Sequence, residues 1–282
     1  GASKDFFKDK LKLKAEYSIA DNKDDNLTAR IELRPFGSYS VYTGYSLVND
    51  SEGKSDKVVF GQNYQVTKDF GIYSEHQLLK DPDARSTIEA YGISYKVKDN
   101  YTLGIAYQQG VVNENAGESY KRRAVSLSSS YDKSKFKLTN KFEYRIDNKS
   151  SLNEETYVTT NGFSVRLTDS LRGLANFDYS ISRDRETDET IERYSEANVG
   201  FAFRPVTNNR LAILGRYRNI QQEDKTSRTN VTDQKKEIFE AEVNYKLSNK
   251  WSIGGRIAYK DAQEYYTTEL GDTLTIENSA AL

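Results

Sequence analysis

Between Lys236 and Lys260 the chain changes character at every second residue. Phe239, Ala241, Val243, Tyr245 and Leu247 alternate with Glu240, Glu242, Asn244 and Lys246. A break at Ser248-Asn249-Lys250 follows, and then Trp251, Ile253, Gly255, Ile257 and Tyr259 alternate with Ser252, Gly254, Arg256 and Lys260. Side chains along a strand point alternately to opposite faces, so a period of two marks a strand with two unlike faces. Ser-Asn-Lys suits a tight reversal. The stretch therefore reads as a hairpin with one apolar, aromatic face and one fully charged face. Any fold must put that charged face where charge is tolerated.

The same unit recurs along the chain. Strands are expected from Lys10 to Ile19, then from Leu27, Tyr39, Val58, Phe70, Thr87, Tyr101, Ala124, Phe136, Tyr157, Leu171, Tyr194, Leu211, Phe239, Trp251 and Thr273 onward. Short turns fall near residues 36, 68, 99, 133, 169, 207 and 249. Polar stretches at 48–56, 109–121, 147–154, 182–193, 221–235 and 261–272 read as longer loops between the far ends. Short and long connections alternate, so each strand pairs with its sequence neighbour. The expected fold is all-β: one domain over 1–282, a transmembrane antiparallel up-and-down β-barrel of about 16 strands with short periplasmic turns and longer extracellular loops.

Composition fits once the two faces are separated. A mean hydropathy of −0.80 with 29% charged residues argues against helical spans, which need about 20 consecutive apolar residues. It does not argue against a barrel, where only alternate residues meet lipid. Three prolines suit long paired strands, and 21 Tyr and 12 Phe against one Trp supply ring-bearing positions. Tyr39, Tyr101, Phe136 and Trp251 lie beside short turns. Tyr107, Tyr144, Tyr179, Tyr217 and Tyr259 lie six to eight residues along the strands. At ~3.3 Å per residue and a tilt of about 40°, eight residues rise roughly 20 Å, so the two sets form candidate interfacial girdles of an apolar band about 25 Å tall.

A soluble β-sandwich binding module would bury the apolar face and is the remote alternative. A meander this long leaves two liable edges, which closure removes. Closure sends Arg30, Glu32, Arg34, Arg145, Arg166, Arg172, Arg204, Arg216, Arg218, Glu240, Glu242 and Arg256 to the inside. That many charges require internal water or mutual pairing. They are the candidate lumen-lining residues.

The phrases FRPVTNNRLAILGRYR (203–218) and VNYKLSNKWSIGGRIAYK (243–260) resemble the C-terminal outer-membrane barrels of very large, adhesin-like bacterial surface proteins. In those, strings of immunoglobulin-like repeats precede the barrel. The resemblance is strongest over about 161–260, and its phrases are barrel turns that name no activity. It implies a membrane anchor or conduit at the cell surface of a Gram-negative bacterium, with N-terminal surface domains elsewhere in the protein. Such barrels tend to run further and finish on an aromatic residue, whereas this sequence stops at Ala280-Ala281-Leu282. The sequence opens without a leader peptide, as a mature chain or a fragment does.

Little points to chemistry. His76, the one histidine, shares a face with Ser74 and with Phe70, Ile72 and Leu78, and no third group completes a hydrolytic set. Glu240 with Glu242 and Glu154 with Glu155 read as partners for arginines rather than acid–base pairs. Asp184 to Glu189 lacks the spacing of a calcium loop. There is no cysteine, and a net charge of −1 gives no nucleic-acid stripe. The expectation is a non-enzyme without metal or cofactor. Its partners are the outer-membrane bilayer with its lipopolysaccharide and the barrel-insertion machinery. It serves as an anchor or conduit or, alternatively, as a porin-like channel with a charged lumen.

Overall fold

The computed structural model describes residues 2–281 except 8, 9, 20–24, 51, 52, 116, 151, 209, 228, 229, 249, 250, 269 and 270. Among the described residues every regular element is a β-strand. They are β1 (Ala2–Phe6), β2 (Leu11–Ile19), β3 (Asp25–Phe36), β4 (Tyr39–Asp50), β5 (Gly53–Gln65) and β6 (Phe70–Lys80). Next come β7 (Ala84–Lys98), β8 (Tyr101–Glu114), β9 (Ser119–Lys133), β10 (Phe136–Asn148), β11 (Asn153–Arg166) and β12 (Leu171–Asp184). The last are β13 (Thr190–Phe203), β14 (Leu211–Ser227), β15 (Asn230–Lys246), β16 (Ser252–Thr268) and β17 (Gly271–Ala281). The chain falls into two compact units, 1–127 with 144–154 and 128–143 with 155–282.

In the first unit consecutive strands from β1 to β8 pair antiparallel, for example Tyr39↔Tyr64, Ile72↔Ile93 and Ile93↔Ile105. In the second, β12 to β17 do the same, with Arg216↔Glu240 and Glu240↔Ala258 in register. Sequence neighbours pair because short reversals such as Thr67–Asp69 leave a strand nowhere else to go. Thr67 Oγ1 accepts from the backbone N–H groups of Asp69 and Phe70 there, and Thr168 repeats the device for Ser170 and Leu171.

Two features differ from the sequence expectation. β1 is an added strand, paired to β2 from Ala2↔Ala15 to Phe6↔Leu11; five residues with two charges carry too little alternation to be read. The polar stretches expected as loops are largely strand. β14 and β15, for instance, stay paired from Leu211↔Tyr245 to Asp224↔Thr232. Backbone groups there hydrogen-bond across the hairpin whatever the side chains are, so pairing outlasts the apolar alternation.

Exposure is inverted relative to a water-soluble protein. On β8, Ile105 is 48% exposed and its neighbour Ala106 only 9%. Tyr91, Ile93 and Tyr95 on β7 are exposed, while Ala90 and Gly92 on either side of Tyr91 are buried. Phe201, Phe239, Ile257 and Tyr259 stand exposed in the second unit. The most sheltered side chains include acids: Glu143 at 5% and Asp147 at 4%. A wall with its rings outside and its charges sheltered is built for an apolar surround. Polar groups on the aromatic face are tied to one another: Asn140 Nδ2 donates to Asn161 Oδ1 at 2.7 Å, and Asn161 Nδ2 to Thr159 Oγ1 at 3.1 Å.

Candidate functional site: the charged face

In the second unit, Arg216, Glu240 and Arg256 come from three consecutive strands. Arg216 lies opposite Glu240 in the β14–β15 ladder, and Arg256 is one step diagonal on β16. Arg216 Nε donates to Glu240 Oε2 at 2.7 Å, with Nη2 closing a second contact to the same oxygen. Arg256 Nη2 donates to Oε1, also at 2.7 Å. One carboxylate is thus shared by two guanidinium groups, and Glu242 stands directly opposite Arg256 on the same face. Neighbouring this set, Arg218 Nε lies 3.2 Å from Glu196 Oε1 and Tyr194 Oη donates to Glu196 Oε2 at 2.6 Å. Lys141 Nζ contacts Glu143 at 2.7 Å.

The first unit repeats the two-to-one ratio along one strand. Arg34 Nε lies 2.8 Å and Arg30 Nη2 3.7 Å from Glu32. The Arg30 guanidinium also sits 3.9 Å from the centre of the Tyr42 ring, whose hydroxyl donates to Glu75. Tyr42 lies over Gly61 and Tyr73 over Gly92, and any Cβ at either glycine would overlap the ring. Glycine serves at these two positions through close approach, and any side chain there must displace the ring.

At the far end of the same face, Arg122 grips Asp147 through two bonds of 2.8 and 2.7 Å. Lys149, just past β10, lies 3.2 Å from Glu154 and 3.9 Å from Glu114. Burial works to lower the Lys149 pKa, but Glu154, Tyr120 and Glu114 outweigh it and hold the ammonium above its ordinary value.

Of the residues expected on the charged face, Arg30, Glu32 and Arg34 come together, as do Arg216, Glu240 and Arg256. Glu242 accepts instead from Asn244 at 3.0 Å. Arg145 lies half-buried on the charged side of β10. Arg166 ends β11, Arg172 is the second residue of β12, and Arg204 lies past β13, its N–H donating to Ser170 O at 2.7 Å. These three are exposed beside short turns, away from the paired sets. Glu196, Tyr42, Glu75 and the Arg122–Asp147 pair were not singled out from sequence. The signal for Tyr42 was its parity, an aromatic residue on the polar phase of its strand.

Of the expected girdle, Tyr39 pairs with Tyr64, Phe136 stacks on Tyr131 at 5.1 Å, and Tyr217 packs on Phe239 at 4.6 Å. Trp251 is 73% exposed beside its turn, and Tyr107 and Tyr259 are exposed as well. Tyr101, Tyr144 and Tyr179 are half-buried. His76 stands exposed on the aromatic face, across from Phe60 and Glu89, while Ser74 accepts from Gln62 at 3.0 Å. Glu89 accepts instead from Tyr91 Oη and Gln109 Nε2, each at 3.2 Å. In the segment from Asp184 to Glu189, Arg183 pairs with Asp188 at 3.2 Å.

No family model matches the chain, and no curated protein sequence matches it. Solved structures do. Outer-membrane expressed OmpT of Vibrio cholerae superposes with a TM-score of 0.51 at 8% identity, covering 93% of this chain and 100% of that one. The outer membrane channel DcaP of Acinetobacter baumannii gives 0.51 at 10% identity, covering 87% and 86%. Likeness at that identity speaks to fold. The fold is that of the antiparallel, up-and-down transmembrane β-barrels of bacterial outer membranes. The inverted exposure follows from it, with rings toward lipid and charges toward the inside.

Proposed function

We propose that this chain is a single barrel domain over 1–282 that resides in a bacterial outer membrane. It acts as a channel for small solutes, not as an enzyme, and weakly prefers anions. One observation carries the reading: on the inner face of each unit a single glutamate is shared by two arginines, Arg30–Glu32–Arg34 and Arg216–Glu240–Arg256. Each set gathers guanidinium groups on a low-dielectric wall, which focuses their field on passing ions. The candidate lumen lining extends to Arg145, Arg166, Arg172, Arg204, Arg218 and Glu242. The lipid-facing girdle comprises Tyr39, Tyr101, Phe136, Trp251, Tyr107, Tyr144, Tyr179, Tyr217 and Tyr259. Insertion would depend on the barrel-insertion machinery of that membrane.

The second reading is an anchor or conduit for a larger surface protein. It is supported by the resemblance of 203–218 and 243–260 to barrels that follow adhesin repeats. Planar-bilayer recording separates the two. A channel gives discrete conductance steps and, under a KCl gradient, a reversal potential on the anion side. Arg216→Glu with Arg218→Glu then moves that potential toward cations. Folded barrels that insert without conducting would leave the anchor.

A further inference from the structure

The aromatic face of the first unit ends in a belt of cations. Lys54 on β5, Lys80 on β6 and Arg85 on β7 share the alternation phase of Tyr64, Phe70 and Tyr95. Each lies ten residues from that aromatic residue, which stands at the short-turn end of its own strand. Ten residues at ~3.3 Å and a tilt of about 40° rise roughly 25 Å, the height of an outer-membrane apolar band. The three cations therefore sit level with one another, where lipid headgroups begin, and project to the lipid side. Lys80 and Arg85 are direct cross-strand partners, and Asp56, two residues from Lys54, lies opposite Lys80. Beside them Lys121 and Arg123 line a concavity of about 350 Å³ with Thr87, Glu89, Gln109 and Val111.

None of these five cations makes an ion pair or side-chain hydrogen bond among the described residues. Like charges directly opposite on neighbouring strands repel. The acids nearby do not quench them. Asp56 accepts the Tyr45 hydroxyl at 2.7 Å, and Glu89 accepts Tyr91 Oη and Gln109 Nε2, each at 3.2 Å. Asp81 and Asp83 are exposed at the hairpin tip, further from the apolar band. Sites at the same distance in the second unit are compensated. Arg193, ten residues from Phe203, lies 3.8 Å from Glu223, and Lys235, ten from Tyr245, lies 3.0 Å from Glu237.

We propose that Lys54, Lys80 and Arg85, with Lys121 and Arg123, form a binding site for the phosphate of a lipid headgroup. A phosphate between Lys80 and Arg85 would relieve their repulsion through charge-assisted bonds, while its acyl chains lie along Val58, Leu78 and Val111 below. The site stands on the membrane fold and is independent of conduction.

The test uses the full chain, folded in zwitterionic detergent and checked by its mobility on unboiled SDS gels. Native mass spectrometry counts retained phosphatidic acid against phosphatidylcholine of the same chains. The expected result is at least tenfold tighter retention of phosphatidic acid. Lys80→Glu with Arg85→Glu abolishes that preference, whereas Arg193→Gln with Lys235→Gln leaves it within about twofold. Equal retention of both lipids, or a preference untouched by Lys80→Glu with Arg85→Glu, overturns the proposal. Competition by millimolar inorganic phosphate that removes the preference reassigns the belt to free anions. Wild-type oligomers that the charge reversal dissolves, without a lipid preference, reassign it to a second copy of the chain.

Discussion

The two units solve one problem differently: how to hold a polar inner wall together. In the second unit, side chains of β13 to β16 interlock by charge, Glu196 with Arg218 and Glu240 with both Arg216 and Arg256. In the first, β4 to β7 rely on shape, with the Tyr42 and Tyr73 rings laid over Gly61 and Gly92. Charge pairing depends on register, since one step of slip would carry Glu240 to the other face. Ring-over-glycine packing depends on an absent Cβ. The contrast extends to the lipid-side cations ten residues from the short-turn aromatics, where Arg193 and Lys235 of the second unit are paired and, among the described residues, Lys54, Lys80 and Arg85 of the first are not.

Arginine on the lipid side should have the largest effect. Ile105→Arg in the first unit and Ile257→Arg in the second should each cost about 2–4 kcal/mol of folding stability in vesicles, read from urea titration. Ala258→Arg, on the charged face, should cost much less. Tolerance of Ile105→Arg alone would show that the first unit does not face lipid as the second does.

Loss of a shared carboxylate should come next. Glu240→Gln leaves two guanidinium groups short of their acceptor and is expected to cost about 1–3 kcal/mol. Glu32→Gln, which has one close arginine at 2.8 Å and a second only at 3.7 Å, both on its own strand, should cost under about 1 kcal/mol. Equal losses in the same titration would erase the distinction between charge-braced and shape-braced walls.

The glycine substitutions sharpen the same point. Gly61→Ala or Gly92→Ala must displace a tyrosine ring and should cost about 1–3 kcal/mol. Gly255→Ala in the second unit meets nothing within 4 Å and is expected to be neutral or to stabilise by about 0.4–1 kcal/mol. Smallest of all, Lys235→Ala removes a solvent-screened pair with Glu237 and is expected to leave the same titration unchanged.

Alternation in the sequence was enough to place sixteen of the seventeen strands found among the described residues. It worked where one face met lipid, because Phe239 to Leu247 and Trp251 to Tyr259 cannot be out of phase without burying charge in hydrocarbon. It failed beyond the apolar band. Asn219-Ile220-Gln221-Gln222-Glu223-Asp224 carries no apolar rhythm, yet pairs rung by rung with Thr232 to Glu237. The charged-face residues were legible as a set and not as partners. Arg216 meets Glu240 and Arg218 meets Glu196 only through a register that composition does not encode. The free upper cations were invisible for the same reason, since being unpaired is a property of neighbours.

The continued pairing of β14 and β15 has an electrostatic consequence. From Tyr217↔Phe239 to Asp224↔Thr232 the ladder rises roughly 18 Å past the last ring-bearing rung, at ~3.3 Å per residue and a tilt of about 40°. Screening in physiological salt decays over about 8 Å. With the headgroup level at Lys235, ten residues from Tyr245, Asp224 stands three rungs and about one screening length beyond the phosphates. An ion arriving from outside feels Glu223, Asp224 and Lys225 of the hairpin before it feels the membrane. Over that stretch the protein, not the lipid, sets the potential at the approach.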